Sequence, residues 1–313
     1  MRVLCAARAI CVFHQGMLAS LEEFASRMCP EGHAHSAADD AIRIQTKDLL
    51  QHVNVIPQAV ELPSLPQAHS YPTLHEAAGV PDEEAVVLLP AGIRPVKDVS
   101  FCMRAFAEYN ARSGATPLHL VVVGPILSHD ELARVTAAMD AAHTEARLTQ
   151  PRMHLLPPVP RPQLLAWMRS SIAVLNSSLS EGMPNAVMEA MALGVPVVVR
   201  RNTGNTALVQ HGVTGTVFDM PEEAVAACAA CANGEGAPGD SAAGKVACSP
   251  SGASTVDGGA GLSPSQMAAA GKAHIEEAFS CEAEAAAWLQ LLRDVAPPTA
   301  PASASEAAGI GSR

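Results

Sequence analysis

The strongest constraint on this chain is a series of short, unbroken apolar runs spaced along its middle. They are Ala85-Val86-Val87-Leu88-Leu89, Leu118 to Gly124, Met153-His154-Leu155-Leu156, Ile172-Ala173-Val174-Leu175, Val197-Val198-Val199 and Gly215-Thr216-Val217-Phe218. None alternates steadily between apolar and polar residues, so each predicts a strand buried on both faces. Stretches with helical spacing separate them, at 99–110, 131–146, 162–169 and 184–192. That order predicts an α/β fold, a Rossmann-like parallel sheet with helices on both faces. Ligands of such a sheet bind beyond the C-terminal ends of its strands.

The flanks differ in character. Residues 1–52 are mixed in character, with a helical pattern at 18–28. Val53-Asn54-Val55-Ile56 predicts a short strand ended by Pro57, and the Pro-rich stretch 62–72 predicts an extended connection. Residues 233–263 are rich in Gly, Ala, Ser and Pro. They cannot bury enough apolar surface to offset chain entropy, so a disordered insertion is expected. Helical patterning returns at 264–279 and 282–293, and the tail 296–313 is again Pro/Ala/Ser-rich and expected to be disordered.

Several function classes are disfavoured. A net charge of −11 argues against a nucleic-acid partner, which needs a basic face. No apolar stretch reaches the roughly 20 residues of a membrane span, and a cytoplasmic location is expected. Cys228 and Cys231 form a Cys-x-x-Cys inside an Ala-rich helical segment, without the second pair of a zinc site. His33-Ala34-His35 has no third ligand nearby. These residues predict idle thiols and a solvated loop.

Three groups fall at predicted strand ends. Gly92-Ile93-Arg94-Pro95-Val96-Lys97 follows the first strand of the series, and its two cations can neutralise a diphosphate. Glu181-Gly182-Met183-Pro184-Asn185 follows the fourth. Gly182 permits close backbone approach, Pro184 suits a helix start, and the amides behind it can cradle an anion. Glu189 sits in the helix that follows, among Ala186, Val187, Met188, Ala190, Met191 and Ala192. A buried carboxylate there needs donors, which a ribose diol, a buried arginine or backbone amides would each supply.

Together these residues resemble the C-terminal domain of the group 1 (family 4) retaining glycosyltransferases of GT-B fold, as in glycosyltransferase 1 domain-containing proteins. The resemblance rests on Ser180-Glu181-Gly182-Met183-Pro184-Asn185 through Glu189-Ala190-Met191-Ala192-Leu193-Gly194-Val195-Pro196-Val197-Val198, and on Gly92 to Asp98. His211-Gly212-Val213-Thr214-Gly215 resembles a later turn of the family, and Val53 to Val60 its hinge strand, with Gln58-Ala59 in place of Asn-Gly.

The resemblance implies a metal-independent transfer of sugar from a nucleotide-sugar donor, UDP- or GDP-linked, to an unknown acceptor. It implies no cofactor, and the chain has no Asp-x-Asp motif. Arg94, Lys97 and Glu181 would be catalytic, the two cations on the diphosphate and Glu181 on the donor sugar. Gly92, Gly182, Met183, Pro184, Asn185 and Glu189 would bind donor, with Glu189 on the ribose. Pro157 to Pro160 would border the nucleobase. The implied domains are a remnant of a truncated acceptor domain at 1–52, the donor domain at 53–232, the insertion at 233–263, the donor domain's last helices at 264–295 and the tail at 296–313. Thr203-Gly204-Asn205-Thr206-Ala207 departs from the family in lacking the Glu that often follows its Gly-Gly turn. A truncated, catalytically inactive nucleotide-sugar-binding module is the alternative expectation.

Overall fold

The computed structural model describes residues 10–13, 15, 17–19, 23, 53–62, 71–234 and 262–295. The helical pattern at 18–28, His33 and His35, most of the 233–263 insertion and the tail fall largely or wholly outside that set.

Six parallel strands form the central sheet: β3 (Ala85–Pro90), β4 (Leu118–Val123), β5 (Met153–Leu156), β6 (Ala173–Asn176), β7 (Val197–Arg200) and β8 (Thr216–Phe218). Their spatial order is β5-β4-β3-β6-β7-β8. The sheet grows outward from β3 in one direction and then from β6 in the other. This doubly wound order leaves a crevice where the direction reverses, between the ends of β3 and β6. Those two strands are in register as Val87↔Ala173 and Leu88↔Val174.

The unbroken apolar runs are explained by cover on both faces. Val87, Leu89, Leu120, Val122, Leu175 and Val198 face one core, with helices α2 (Met103–Asn110), α3 (His129–Glu145) and α7 (Pro221–Asn233). Their neighbours Val86, Leu88, Val121, Val123, Val174, Val197 and Val199 face the other. There they meet α4 (Arg161–Ser170), α5 (Asn185–Ala192) and α8 (Pro264–Ala278). Successive residues of a strand point to opposite faces, so a strand covered on both sides has no polar phase.

Several helix ends differ from expectation by one or two residues, and two of the differences bear on the site. The helix predicted over 99–110 begins at Met103, because Asp98 takes a left-handed conformation (φ 40°) and the chain turns before the helix starts. Pro184 lies just ahead of α5 as its N-cap rather than inside its first turn. Two short helices were not anticipated: α1 (Leu74–Ala78), closed by a Thr73–Glu76 capping box, and α6 (Thr203–Leu208), capped by Asn202. The last helix, α9, spans Cys281–Val295.

Outside the main sheet, β1 (Ile10–Val12) pairs in parallel with β2 (Val53–Val55). The segment after β2 is fastened to the C-terminal helices. Val60 N donates to the Phe279 carbonyl at 3.1 Å, and Ala59 N to Glu284 Oε2 at 2.9 Å.

Candidate functional site

The loops that leave β3 and β6 meet in the crevice. Leu179 N donates to the Val96 carbonyl at 2.9 Å, and Ser177 Oγ to the Lys97 carbonyl at 3.0 Å. These bonds bring Lys97, at the end of a 3₁₀ turn over Pro95–Lys97, beside Glu181. Lys97 Nζ donates to Glu181 Oε1 at 2.5 Å, and Asn176 Nδ2 donates to the same oxygen at 3.1 Å. Burial alone would raise the Glu181 pKa. Hydrogen bonds from Lys97, Ser178 and Asn176, with the Lys97 charge, outweigh burial and hold it below the ordinary carboxylate value. Glu181 is therefore an anion at neutral pH.

Arg94 caps the same 3₁₀ turn in extended conformation and is exposed. Among the described residues it makes no ion pair, which leaves its five donors available to a ligand. The other predicted donor residues lie around this pair. Gly182 is exposed and the space above its Cα is open. Gly92 is half-buried beside Leu127, whose side chain occupies the position a Cβ would take. Met183 packs at the edge of the core and Pro184 is buried. The Pro184 carbonyl accepts from Val187 N (2.9 Å) and Met188 N (3.0 Å). The amides of Asn185 and Ala186 thus precede the first intrahelical bond and belong to the donor-rich helix end.

Glu189 is buried in α5, 9% exposed, and its donor is an arginine, though one whose own side chain is half exposed rather than buried. Arg161, the first residue of α4, donates from Nε to Glu189 Oε1 at 2.7 Å. The Pro157 to Pro160 segment leads directly into that residue, with Pro160 as the N-cap of α4.

Sequence reasoning missed the layer beneath the site. Arg200, at the end of β7, donates to Asp98 Oδ2 at 2.7 Å and lies 3.6 Å over the Phe101 ring. Asn202 Nδ2 donates to the Ser178 carbonyl at 2.9 Å, and Asn205 Nδ2 to Asn176 Oδ1 at 3.2 Å. The available signal was a run of polar residues where small α/β domains keep apolar ones, at the ends of β6 and β7.

The Cys-x-x-Cys lies in α7, away from this site. Burial pushes the Cys231 thiol up to about 11 and also raises the Cys228 thiol well above its ordinary value. Among the described residues no three His, Cys, Asp or Glu side chains gather as a metal-ligand set, and no helix is long and apolar enough to cross a membrane.

A doubly wound sheet with a lysine–carboxylate pair at its switch point defines a Rossmann-like ligand-binding domain. Residues 84–233 match the family model described as glycosyl transferases group 1. The chain is 29% identical over 176 residues to glycosyltransferase 1 domain-containing protein 1 of Xenopus tropicalis, covering 55% of this chain and 48% of the relative. It is 30% identical over 215 residues to a D-inositol 3-phosphate glycosyltransferase of a Nocardioides species, covering 63% and 46%. The chain thus spans about half the length of the curated relatives it matches.

Solved structures share the fold. A glycosyltransferase from Rickettsia africae superposes with a TM-score of 0.62 at 14% identity, over 91% of this chain and 63% of that one. Anabaena Alr3699/HepE, solved in complex with UDP-glucose, superposes at 0.57 with 18% identity, over 88% and 67%. At these identities the likeness is one of fold, an α/β Rossmann-like parallel sheet flanked by helices.

Proposed function

We propose that this domain binds the donor in a glycosyltransferase that moves a sugar from a nucleotide sugar to an acceptor hydroxyl. One observation carries the reading. The exposed Arg94 and the Glu181-paired Lys97 stand on one loop at the switch point of the sheet, opposite the start of α5. As the glycosidic bond breaks, its electrons pass to the leaving diphosphate. Cations already in place stabilise that charge without reorganising. Arg94 and Lys97 serve as those cations, so the reading needs no metal ion and no cofactor. Loss of one such group typically costs about 3 kcal/mol, roughly a hundredfold in rate.

Glu181 contacts or orients the donor sugar, and Glu189 takes the ribose hydroxyls with the carboxylate lone pairs that Arg161 leaves unused. Gly92 and Gly182 let the backbone approach the donor, and Met183, Pro184 and Asn185 place the first amides of α5 against the phosphates. A UDP- or GDP-linked sugar fits these groups, retention of configuration follows the family, and a cytoplasmic location belongs to the same reading. The alternative reading is a nucleotide-sugar-binding module that transfers nothing by itself.

Calorimetric titration with UDP, GDP, UDP-glucose and GDP-mannose tests the reading. Saturable binding of at least one, weakened tenfold or more in Arg94→Ala and in Glu189→Ala, is expected (about 1.4 kcal/mol per tenfold). A folded protein that binds none of the four would overturn it. Sugar release or transfer by the bound donor separates enzyme from module.

A further inference from the structure

Three residues of one short segment hold the loop that carries Glu181. Asn202 Nδ2 bonds the Ser178 carbonyl at 2.9 Å. Gly204 lies so close that a Cβ there would stand 2.7 Å from the Glu181 carbonyl carbon and 2.8 Å from its Cβ. Asn205 is fully buried and donates from Nδ2 to the Arg200 carbonyl at 2.8 Å and to Asn176 Oδ1 at 3.2 Å. Asn176 Oδ1 also accepts from Ser178 N at 3.0 Å. That second bond sets which end of the Asn176 amide is which, and leaves its Nδ2 to donate to Glu181 Oε1. A continuous chain therefore runs from Asn205 through Asn176 to the oxygen that Lys97 also holds.

We propose that Asn205 is a positioning residue for Glu181, acting through Asn176, and that the Asn202–Gly204–Asn205 turn keeps the Glu181–Lys97 pair assembled before a donor arrives. The first half stands on the geometry alone, and its consequence for donor affinity rests on the donor-site reading above. Asn205 Oδ1 meets no hydrogen-bond partner and is buried, so the amide's donor end is the part in use. A leucine of nearly the same shape would offer no donor to Asn176 Oδ1 or the Arg200 carbonyl and would add no charge. The charge that acts on Glu181 is that of Lys97, from the β3 loop. The helix α6 brings no charge of its own, so its effect on Glu181 passes through the hydrogen-bond chain. The segment is also where the family's usual Glu is absent, and Asn205 is the residue there that reaches the site.

The test follows Glu181 directly, through its ¹³C carboxyl resonance in the full chain, assigned by its loss in Glu181→Gln. Asn205→Leu and Asn205→Ala are each expected to raise the Glu181 midpoint by about one pH unit, a tenfold change in proton affinity. UDP-glucose affinity should fall in parallel. Asn205→Leu keeps the packing volume and adds no charge, so the test survives if Asn205→Ala unfolds. Leu208→Ala, a core change in the same helix but outside the chain of bonds, is expected to lower thermal stability and leave the midpoint in place. An unmoved midpoint in folded Asn205 variants overturns the proposal, as does an equal shift in Leu208→Ala. A shifted midpoint in a protein that binds no nucleotide sugar upholds the positioning role and removes the donor-site reading.

Discussion

Arg161 ties Glu189 to the backbone of Glu61: its Nε donates to Glu189 Oε1 at 2.7 Å and its Nη2 to the Glu61 carbonyl at 2.7 Å. A second tie, Gln58 Nε2 to Asn185 Oδ1 at 3.0 Å, joins the same segment to the start of α5. The chain entering from β2 is thus fastened at two points to the helix that carries the proposed ribose carboxylate.

If Arg161 acts through Glu189, removing both must cost less than the sum of removing each. Arg161→Met and Glu189→Gln are each expected to weaken UDP binding several-fold, with a coupling of about 0.5 kcal/mol or more in the double-mutant cycle. Calorimetry on the four proteins measures it. Additive losses would mean that Arg161 serves the β2 connection alone.

Lys97 and Glu181 should separate phosphate binding from sugar binding. Lys97→Met removes a charge-assisted donor and leaves a buried carboxylate without its cation. UDP affinity is expected to fall by about tenfold to a hundredfold, from the roughly 1.5–3 kcal/mol of a hydrogen bond to a charged group. Glu181→Gln frees Lys97 from its ion pair, so UDP should bind as well as before or better. The same variant should lose the added affinity that glucose gives UDP-glucose. Parallel loss for both ligands in Glu181→Gln would remove the sugar-contact role.

The loop that presents Arg94 depends on a glycine in the next strand's exit. A Cβ on Gly124 would stand 2.6 Å from the Ala91 carbonyl carbon and 3.0 Å from Gly92 N. Ile93 N bonds the Pro125 carbonyl at 2.8 Å just beyond, so the two loops cannot part freely. Gly124→Ala is expected to destabilise the domain by about 1–3 kcal/mol, the usual cost of overpacking, and to weaken UDP binding by displacing Gly92 and Arg94. Urea unfolding and calorimetry give the two readings. A shift of stability with unchanged affinity would show that the loop absorbs the strain.

The frame of this domain was legible because its signals are local. The strand predicted over Met153–Leu156 has those bounds, and the other five lie within a residue or so of the expected ones. Arg94, Lys97, Glu181 and Glu189 were picked out because each follows an apolar run or sits in an apolar helix. Their partners were not legible. Asn205 meets Asn176 across 29 positions and Arg161 meets Glu189 across 28, separations at which no local pattern operates. The helix α6 was hidden for a different reason. Thr203, Gly204, Asn205 and Thr206 are weak helix formers, and Asn202's cap with burial against the site holds them helical. The turn before α2 was hidden too, since a left-handed Asp98 has no apolar signature.

The opposite end of the sheet predicts how stability depends on pH. Glu84, ahead of β3, faces His119 Nε2 of β4 and Arg152 ahead of β5, and His119 Nδ1 lies 2.9 Å from His154 Nε2. The tautomer of His119 decides whether Nε2 donates to Glu84 or accepts from Arg152 Nη1, 2.7 Å away. Burial, with the charges of His119 and Arg152, pushes the His154 pKa down to about 4, and His119 is lowered by burial against the pull of Glu84. Between its ordinary value of 6.5 and about 4, the unfolded chain binds a proton at His154 that the folded chain refuses. Unfolding free energy must therefore fall as pH drops through that window. The loss at His154 is about 1–2 kcal/mol once solvent around the half-buried ring is allowed for. Glu84, held below its ordinary 4.5 by His119 and Arg152 against burial, adds a further loss only in more acid solution. Urea unfolding at pH 8, 6.5, 5.5 and 4.5 should show stability level above 7 and declining below 6.5. His154→Phe should flatten part of that decline while keeping the stack on His119, whose ring centroid lies 5.2 Å away. An unchanged slope in that variant would assign the acid sensitivity to other groups.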